Sequence, residues 1–250
     1  MKLITMLYGF TSYSLSMAAL VLFMLFANNH VGLLGMDSLN ALNIDQANGS
    51  PIAMPLLVNI ALLLLFGIQH SVMARPGFKS ALTSVLPQSW ERSTYVLATA
   101  IVLGVMVWYW QPMAGTIWLV ENETLRSVIA AVYWSGWLVT VLATFMLNHF
   151  HLFGLQQSFL SEDPDSGTKE FKTPFFYRFV RHPIQTGVVI AMLATPDMTV
   201  TRLVLAVGML IYIAIGLRYE ERDLLEMFGD TYRDYKRRVP AVVPFIGGGK

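Results

Sequence analysis

Residues 54–73 read MPLLVNIALLLLFGIQHSVM, an apolar stretch of 20 residues without an Asp, Glu, Lys or Arg. A helix needs about 20 such residues to cross the hydrocarbon core of a bilayer. Stretches of the same character occupy residues 4–27, 94–110 and 127–148. The pattern therefore predicts four membrane-spanning helices in the first 148 residues and indicates an all-α integral membrane protein.

The composition supports a membrane protein and excludes several other classes. Of the 250 residues, 55% are hydrophobic and 13% are charged, whereas soluble domains contain about 45–50% and about 25%. So few charges do not cover the surface of a soluble protein, and so many apolar side chains are incompatible with disorder. The chain has no Cys, which excludes a disulfide scaffold, a Cys-ligated metal site and a cysteine nucleophile.

A fifth apolar region covers residues 183–217 and is interrupted at Thr195-Pro196-Asp197, which is a turn signal. We therefore predict two segments here, a short one over 183–195 and a longer one over 199–218. Together they would form a helical hairpin. The chain then has about six membrane segments, and an even number places both termini on one side of the membrane.

The positions of Lys and Arg predict which side that is. Six segments place all but Arg126 and Arg202 of the 17 Lys and Arg residues on the side of the termini. The positive-inside rule makes that side the cytoplasm. Because no eukaryotic targeting signal is present, we expect a bacterial inner membrane. Aromatic residues that fit the belt at the outer membrane interface are Trp108, Trp110, Trp118 and Tyr133.

The last part of the chain has a different pattern. Between residues 219 and 238, apolar residues recur at three- and four-residue spacing with charges between them. This predicts an amphipathic cytoplasmic helix, which Pro240 and Pro244 would end. We therefore interpret residues 1–250 as a single polytopic membrane domain. Residues 1–148 would form four transmembrane helices, and residues 149–250 would form the hairpin and a C-terminal cap.

Two charged motifs are predicted to meet at the cytoplasmic end of the hairpin. The first is Arg181-His182-Pro183; proline suits the first turn of a helix, and the helix N-terminus attracts an anion. The second contains Glu220 and Glu221, at the end of the last segment. A site with a cation and an anion fits a zwitterionic amino-acid group. The other interpretation is a structural Arg–Glu pair that holds the hairpin closed, and the two are compatible.

Three histidines lie near the predicted cytoplasmic ends of membrane helices. His70 ends the second segment, and His149 and His151 end the fourth, so each could line a cavity below the cap or serve as a hydrogen-bonded structural residue. His149 and His151 would point to opposite faces of a helix, and no third ligand is evident, so we predict no metal. No Walker A or GxGxxG motif is present, and we expect no nucleic-acid partner. The one glycine cluster, residues 247–249, belongs to the terminal tail.

Two motifs in the C-terminal part resemble those of a known superfamily. The sequence RHPIQTG at 181–187 resembles the RHPxYxG motif of the isoprenylcysteine carboxyl methyltransferase and phospholipid methyltransferase superfamily. Residues 220–240 contain EERDL, FGDTYRDY and VP, and they resemble its second signature, EExxLxxxFGxxYxxYxxxVP. Within that superfamily the chain is most similar to the methanethiol S-methyltransferases, which are relatives of the NnrU-type membrane proteins. The stretches that carry this similarity are QHSVMAR at 69–75, NHFHLFGL at 148–155 and ATPDMT at 194–199.

The resemblance implies S-adenosylmethionine as the methyl donor, bound below the C-terminal cap, and a small volatile thiol as the acceptor. Methanethiol would become dimethyl sulfide by in-line transfer to sulfur. Gln185 stands where the superfamily commonly has Tyr, so a contact made by that ring is not implied here. The cofactor-binding residues that the resemblance implies are Arg181, His182, Pro183, Gln185, Gly187, Tyr219, Glu220 and Glu221.

Several alternatives stay open from the sequence. The base that takes the thiol proton could be His149, His151 or His70, or a tyrosine, with a preference for a histidine of the fourth segment. The acceptor could instead be a longer thiol, a prenylcysteine carboxylate or a lipid amine. A further alternative is a non-enzymatic NnrU-like membrane protein or a transporter, in which the Arg–Glu pair is a brace. The oligomeric state is also open.

Overall fold

The computed structural model describes residues 2–45, 51–160 and 171–244, and this part of the chain is mainly helical. Its α-helices are α1 (Lys2–Phe26), α2 (Ala53–Met73), α3 (Pro76–Thr83), α4 (Glu91–Tyr109), α5 (Glu123–Met146), α6 (His149–Leu152), α7 (Leu155–Phe159), α8 (Pro183–Leu193), α9 (Val200–Phe228) and α10 (Asp230–Arg238). Two short strands are β1 (Thr116–Leu119) and β2 (Asp197–Thr199). Short 3-10 helices occupy Val31–Leu34, Asp37–Leu42, Gln88–Trp90 and Phe175–Arg178.

The membrane segments confirm the predicted fold class. In the described residues, α1, α2, α4 with the turn before it, α5 and α9 are long and apolar enough to cross a membrane. Helix α8 is also apolar but has 11 residues, which is a length of about 16 Å. It corresponds to the short fifth segment of the prediction. The protein is therefore an all-α integral membrane protein, and its described residues contain five helices of membrane-spanning length and one shorter apolar helix.

The C-terminal region differs from the prediction in one respect. We expected one amphipathic helix over 219–238, but α9 continues from the membrane segment to Phe228 and α10 begins only at Asp230. Gly229 separates the two helices with a φ of 54°, a conformation that residues with a Cβ rarely adopt. Glu220 and Glu221 consequently lie on the same helix as the membrane segment.

The turn at Pro196 lies where the sequence predicted it. Helix α8 ends at Leu193, and the chain continues through β2 into α9. Strand β2 pairs antiparallel with β1, with Trp118 opposite Met198. These strands were not predicted from the sequence, because three or four residues are too few to show alternation. Their pairing joins the segment that follows α4 to the segment that precedes α9.

The chain divides into two compact units. The first contains Met1–Leu119, Phe150–Ser166 and Asp197–Gly208, and the second contains Val120–His149, Gly167–Pro196 and Met209–Lys250. Helix α9 contributes its beginning to the first unit and the rest to the second. Met1 and the stretches 46–50, 161–170 and 245–250, which include the glycine cluster at 247–249, lie outside the described residues.

In the first unit, α1 and α2 pack against α4. Polar side chains form contacts at the two ends of this unit. At one end Trp90 Nε1 donates to Thr5 Oγ1 at 3.0 Å. At the other end Arg202 Nε lies 2.7 Å from Asp45 Oδ2, and its Nη1 donates to Asn28 Oδ1 at 2.7 Å. Arg202, one of the two basic residues that the sequence placed on the outer side, is therefore paired and buried.

In the second unit, α5 and α8 approach through small residues. A Cβ on Gly187 would lie 2.3 Å from the carbonyl oxygen of Gly136. One turn further along α5, Thr140 Oγ1 donates to the carbonyl of Ile184 at 3.1 Å. These pairs run in opposite directions along the two helices, so α5 and α8 are antiparallel. Small residues permit such close helix packing in membranes.

The expected aromatic belt is only partly present. Trp108 and Trp118 are exposed, as a belt requires, but Trp110 and Tyr133 are buried, so the expectation was wrong for these two. The ring of Trp110 packs edge-on against Phe26. Tyr133, in the second unit, packs edge-on against Trp137. Both rings bury their large apolar areas in the core.

Candidate active site

The two predicted charged motifs meet in the second unit. Arg181 Nε and Nη2 donate to Glu221 Oε1 at 2.7 and 2.5 Å. His182 Nε2 lies 3.2 Å from the same oxygen, and its Nδ1 lies 3.5 Å from Glu220 Oε1. Lys236 Nζ is 2.6 Å from Glu221 Oε2. We call Arg181, His182, Glu220, Glu221 and Lys236 the charged cluster.

The segment after α10 holds the first motif in place. The backbone N–H groups of Arg181 and His182 donate to the carbonyls of Pro240 and Ala241 at 2.9 and 3.0 Å. Pro183 follows in the first turn of α8, where its missing N–H leaves no helical bond unmade. From the sequence, Val239-Pro240 was expected only to end a helix. Its role in supplying acceptors to the RHP motif could not be predicted, because that pairing joins residues far apart in the sequence.

The guanidinium of Arg181 forms all of the following hydrogen bonds within the protein. Besides Glu221, its Nη1 donates to the carbonyl of Lys236 at 3.1 Å and to the carbonyl of Val239. The side chains of Arg181 and Glu221 are 6% and 13% exposed. The pair therefore joins α8, α9 and α10, as the structural interpretation of the motif predicts. Donor binding by Arg181 stays a prediction.

Glu220 differs from its neighbour in accessibility. Its side chain is 47% exposed, and Gln185 Nε2 lies 3.3 Å from its Oε2. The carboxylate of Glu221, in contrast, is surrounded by Arg181, His182 and Lys236. Glu220 is thus the carboxylate of the charged cluster that a ligand can reach, and the amide of Gln185 lies beside it.

His182 adds positive charge to the cluster. Burial lowers the pKa of His182, but the hydrogen bonds to Glu220 and Glu221, together with their charges, outweigh burial and raise the pKa above its usual value. This favours the imidazolium form. With His182 protonated, the cations of Arg181, His182 and Lys236 outnumber the two carboxylates, and the charged cluster favours an additional anionic group.

Aromatic residues support the cluster from α10. The buried rings of Tyr232 and Tyr235 contact Phe171, which also lies against Phe228. Tyr235 OH donates to the carbonyl of Tyr177 at 2.5 Å. Burial raises the pKa of Tyr235 to about 12, so its hydroxyl keeps the proton that it donates. The aromatic residues of the FGxxYxxY signature therefore form the core of the cap.

The model of the family described as NnrU protein matches residues 58–245, which contain the charged cluster. The chain belongs to the NnrU family. It is 41% identical over 245 residues to a methanethiol S-methyltransferase of Mycobacterium tuberculosis, covering 98% of this chain and 97% of that protein.

Two further relatives of this NnrU-family chain have similar names. A methanethiol S-methyltransferase of Pseudomonas deceptionensis is 43% identical over 204 residues, which are 81% of this chain and 78% of that protein. Methanethiol S-methyltransferase 2 of Bradyrhizobium diazoefficiens is 38% identical over 244 residues, which are 97% and 91%. No solved structure matches. The family resemblance seen in the sequence is confirmed.

Gly187 and Tyr219, two other predicted cofactor-binding residues, are not part of the charged cluster. Gly187 lies against Gly136 of α5, and this contact alone requires a glycine. The half-exposed ring of Tyr219 has the Arg222 guanidinium 5.8 Å from its centroid. Cofactor contacts by Gly187 and Tyr219 stay predictions.

The three candidate histidines have different environments. His70 lies in the first unit, with its Nε2 2.8 Å from the hydroxyl of Tyr95, and His151 also belongs to the first unit. His149 is buried in the second unit, which contains the charged cluster, with its Nδ1 2.8 Å from Thr144 Oγ1. Among the residues that the structure describes, no group of three or more His, Asp or Glu side chains is placed to hold a metal ion.

Proposed function

We propose that this protein is a membrane-embedded methyltransferase that moves a methyl group from S-adenosylmethionine to the sulfur of methanethiol. The observation that carries this proposal is the identity of 41% to a methanethiol S-methyltransferase over 98% of this chain and 97% of that protein. Because the similarity extends over nearly the full length of both proteins, it includes both charged motifs as well as the membrane helices.

The proposed reaction replaces one carbon–sulfur bond with another. When bound, S-adenosylmethionine supplies an electrophilic methyl group on a positively charged sulfur. The thiolate sulfur forms the new bond as the old one breaks, and the products are dimethyl sulfide, S-adenosylhomocysteine and a proton that passes to a base. The residues of the chain would hold the thiol sulfur in line with the methyl group and keep water away from the thiolate.

The charged cluster fits the amino-acid end of this donor. The half-exposed carboxylate of Glu220 suits an ammonium group, and the amide of Gln185 beside it offers further hydrogen bonds. The excess positive charge of the cluster suits a carboxylate. Lys236, whose side chain is 43% exposed, is the cation that a ligand reaches more readily than Arg181 or His182, both of which are buried.

The length of α9 supports access to the charged cluster from both water and lipid. Helix α9 begins at Val200, so Glu220 lies about 30 Å along it, and this distance equals the thickness of the hydrocarbon core. Such a placement puts the charged cluster at the membrane boundary, which we propose to be the cytoplasmic one. There a water-soluble donor and a thiol dissolved in the bilayer can both arrive.

The direct test is dimethyl sulfide formation by the purified protein from methanethiol and S-adenosylmethionine. We expect product from the wild type, measured by gas chromatography. Absence of product from protein that binds S-adenosylhomocysteine would contradict the proposed acceptor. Longer thiols, a prenylcysteine and lipid amines, assayed beside methanethiol, distinguish the other acceptors. A transporter or scaffold would bind no S-adenosylhomocysteine.

A variant pair tests the donor site. Glu220→Gln removes the accessible charge, and we expect S-adenosylhomocysteine to bind about tenfold more weakly or worse, since hydrogen bonds to charged groups are worth about 1.5–3 kcal/mol. The control is Glu226→Gln on the same helix, because Glu226 is 71% exposed and pairs with Arg222. Titration calorimetry measures both. Equal affinity in the two variants would rule out a role for Glu220 in donor binding.

A further inference from the structure

We propose that His149 accepts the thiol proton through Nε2 and that Thr144 is the residue that positions it. This inference rests on the proposed methyl transfer to a thiol and assigns the base that the reaction requires.

The hydrogen bonds of Thr144 determine the tautomer of His149. Thr144 Oγ1 lies 2.6 Å from the carbonyl oxygen of Val141. A carbonyl cannot donate, so the single hydroxyl hydrogen points to Val141. The contact of 2.8 Å between Thr144 Oγ1 and His149 Nδ1 then has Nδ1–H as the donor. A neutral imidazole carries one hydrogen, so the lone pair that can take a proton is on Nε2.

The environment of His149 favours the neutral form that a base needs. The side chain is buried, and burial lowers the pKa of His149 below its usual value. Its ring stacks on Phe145 at 4.2 Å with an interplanar angle of 5°. Asn148, with a φ of 70°, interrupts the helix between α5 and α6, and His149 contacts the last turn of α5. The ring is thus held in one orientation by a hydrogen bond and a stacking contact.

The register of α5 and α8 indicates that His149 lies at the end of the second unit that carries the charged cluster. Gly136 lies against Gly187, and Thr140 bonds Ile184. The two helices are antiparallel, so the next turn of α5, at Thr144, continues towards the start of α8. That start carries the charged cluster. His149 therefore lies at the end of the second unit where the donor site is proposed.

The proton balance of the step is simple. The S–H proton moves to His149 Nε2, and the electron pair stays on sulfur as the thiolate, which is the reactive nucleophile. The Nδ1–H bond to Thr144 remains in the imidazolium. After methyl transfer the proton leaves Nε2 for water, and the neutral tautomer is restored.

The test compares the pH dependence of kcat/KM for the wild type and His149→Gln with methanethiol. At pH 7 we expect the variant to lose about 10²–10⁴-fold, the usual contribution of a positioned base. Its kcat/KM then rises about tenfold per pH unit below the pKa of the thiol, because only thiolate from solution reacts. The wild type stays nearly constant over the same range. Unchanged affinity for S-adenosylhomocysteine shows that the variant is folded.

Several results would overturn the inference while leaving the proposed function intact. One such result is a kcat/KM of His149→Gln that equals that of the wild type at pH 7. Another is a kcat/KM that His149→Gln loses by the same factor at every pH. A third is a wild-type kcat/KM that itself rises about tenfold per pH unit, as expected when only thiolate from solution reacts. The pH-dependent loss in His151→Gln instead would assign the base to His151. If the wild type makes no dimethyl sulfide at all, the proposed function fails instead.

A second pair of variants examines the positioning role. Thr144→Val removes the acceptor for Nδ1–H, and we expect a loss of about tenfold at neutral pH, because the tautomer is no longer fixed. Thr144→Ser keeps the hydroxyl and should restore kcat/KM. Affinity for S-adenosylhomocysteine should be equal in both. Equal activity of the Val and Ser variants would contradict the role of the hydroxyl.

Discussion

Glu220 and Glu221 are neighbours in the sequence, yet the structure gives them different surroundings. Glu221 is enclosed by Arg181, His182 and Lys236, whereas Glu220 is half exposed next to Gln185. The sequence predicted that the acids meet Arg181, because one motif lies at the start of the hairpin and the other at its end. It could not predict which acid is enclosed, since adjacent helical residues point about 100° apart and the rotation of α9 is set by packing.

The enclosed acid should matter for stability and the exposed one for binding. Glu221→Gln leaves the buried guanidinium of Arg181 without its countercharge, and removing one partner of a buried pair costs about 3–5 kcal/mol. We expect Glu221→Gln to lower the unfolding temperature in detergent clearly. Glu220→Gln is the control and should change the unfolding temperature little. Equal shifts in thermal unfolding would contradict the division of roles between the two carboxylates.

The long helices could be predicted because their signal is local, whereas the tail required tertiary information. Length and hydrophobicity identified α1, α2, α4 and α5 within a few residues. The continuation of α9 to Phe228 was not evident, because charged residues after 218 continue a helix as readily as they begin a new one. The break at Gly229 depends on a backbone conformation, and Lys236 enters the charged cluster only through the packing of α10.

The contact between α5 and α8 predicts the effect of a methyl group. In Gly187→Ala the new Cβ would meet the carbonyl oxygen of Gly136 and the hydroxyl of Thr140, both at 2.3 Å. Because backbone cannot move away easily, we expect a destabilisation of about 1–3 kcal/mol, typical of overpacking. Gly104→Ala in α4 is the control, since nothing lies within 4 Å of its Cβ position. It should leave the unfolding temperature unchanged or raise it.

Thermal unfolding in detergent measures both glycine variants, and S-adenosylhomocysteine binding separates packing from ligand contact. If Gly187→Ala were as stable as the wild type but bound the ligand more weakly, Gly187 would act in the cofactor site, as the family resemblance implies. A loss of stability with retained binding supports the packing role.

Contacts within the first unit show which ends of α1, α4 and α9 lie together. Trp90 bonds Thr5 at one end, so the chain begins at the end where α4 begins. Arg202 bonds Asp45 and Asn28 at the other end, so α9 begins where α1 finishes. Helix α9 is uninterrupted over 29 residues, and its length of about 44 Å is sufficient to cross the membrane. The turn at Pro196 and the distribution of Lys and Arg predict that α9 returns the chain to the side of the N-terminus, and this stays a prediction.

This arrangement predicts which positions a reagent outside the cell can reach. The chain has no Cys, so single cysteines can be introduced into an otherwise unreactive background. Thr124→Cys at the exposed start of α5 and Thr231→Cys on the exposed face of α10 form a pair of equal chemistry. In intact cells a membrane-impermeant maleimide should label the first and not the second, because the positive-inside rule places α10 in the cytoplasm. After permeabilisation both should react. Labelling of Thr231→Cys alone would show the opposite orientation. Labelling of both in intact cells would contradict the predicted return of α9 to the cytoplasmic side, where we propose that the donor binds.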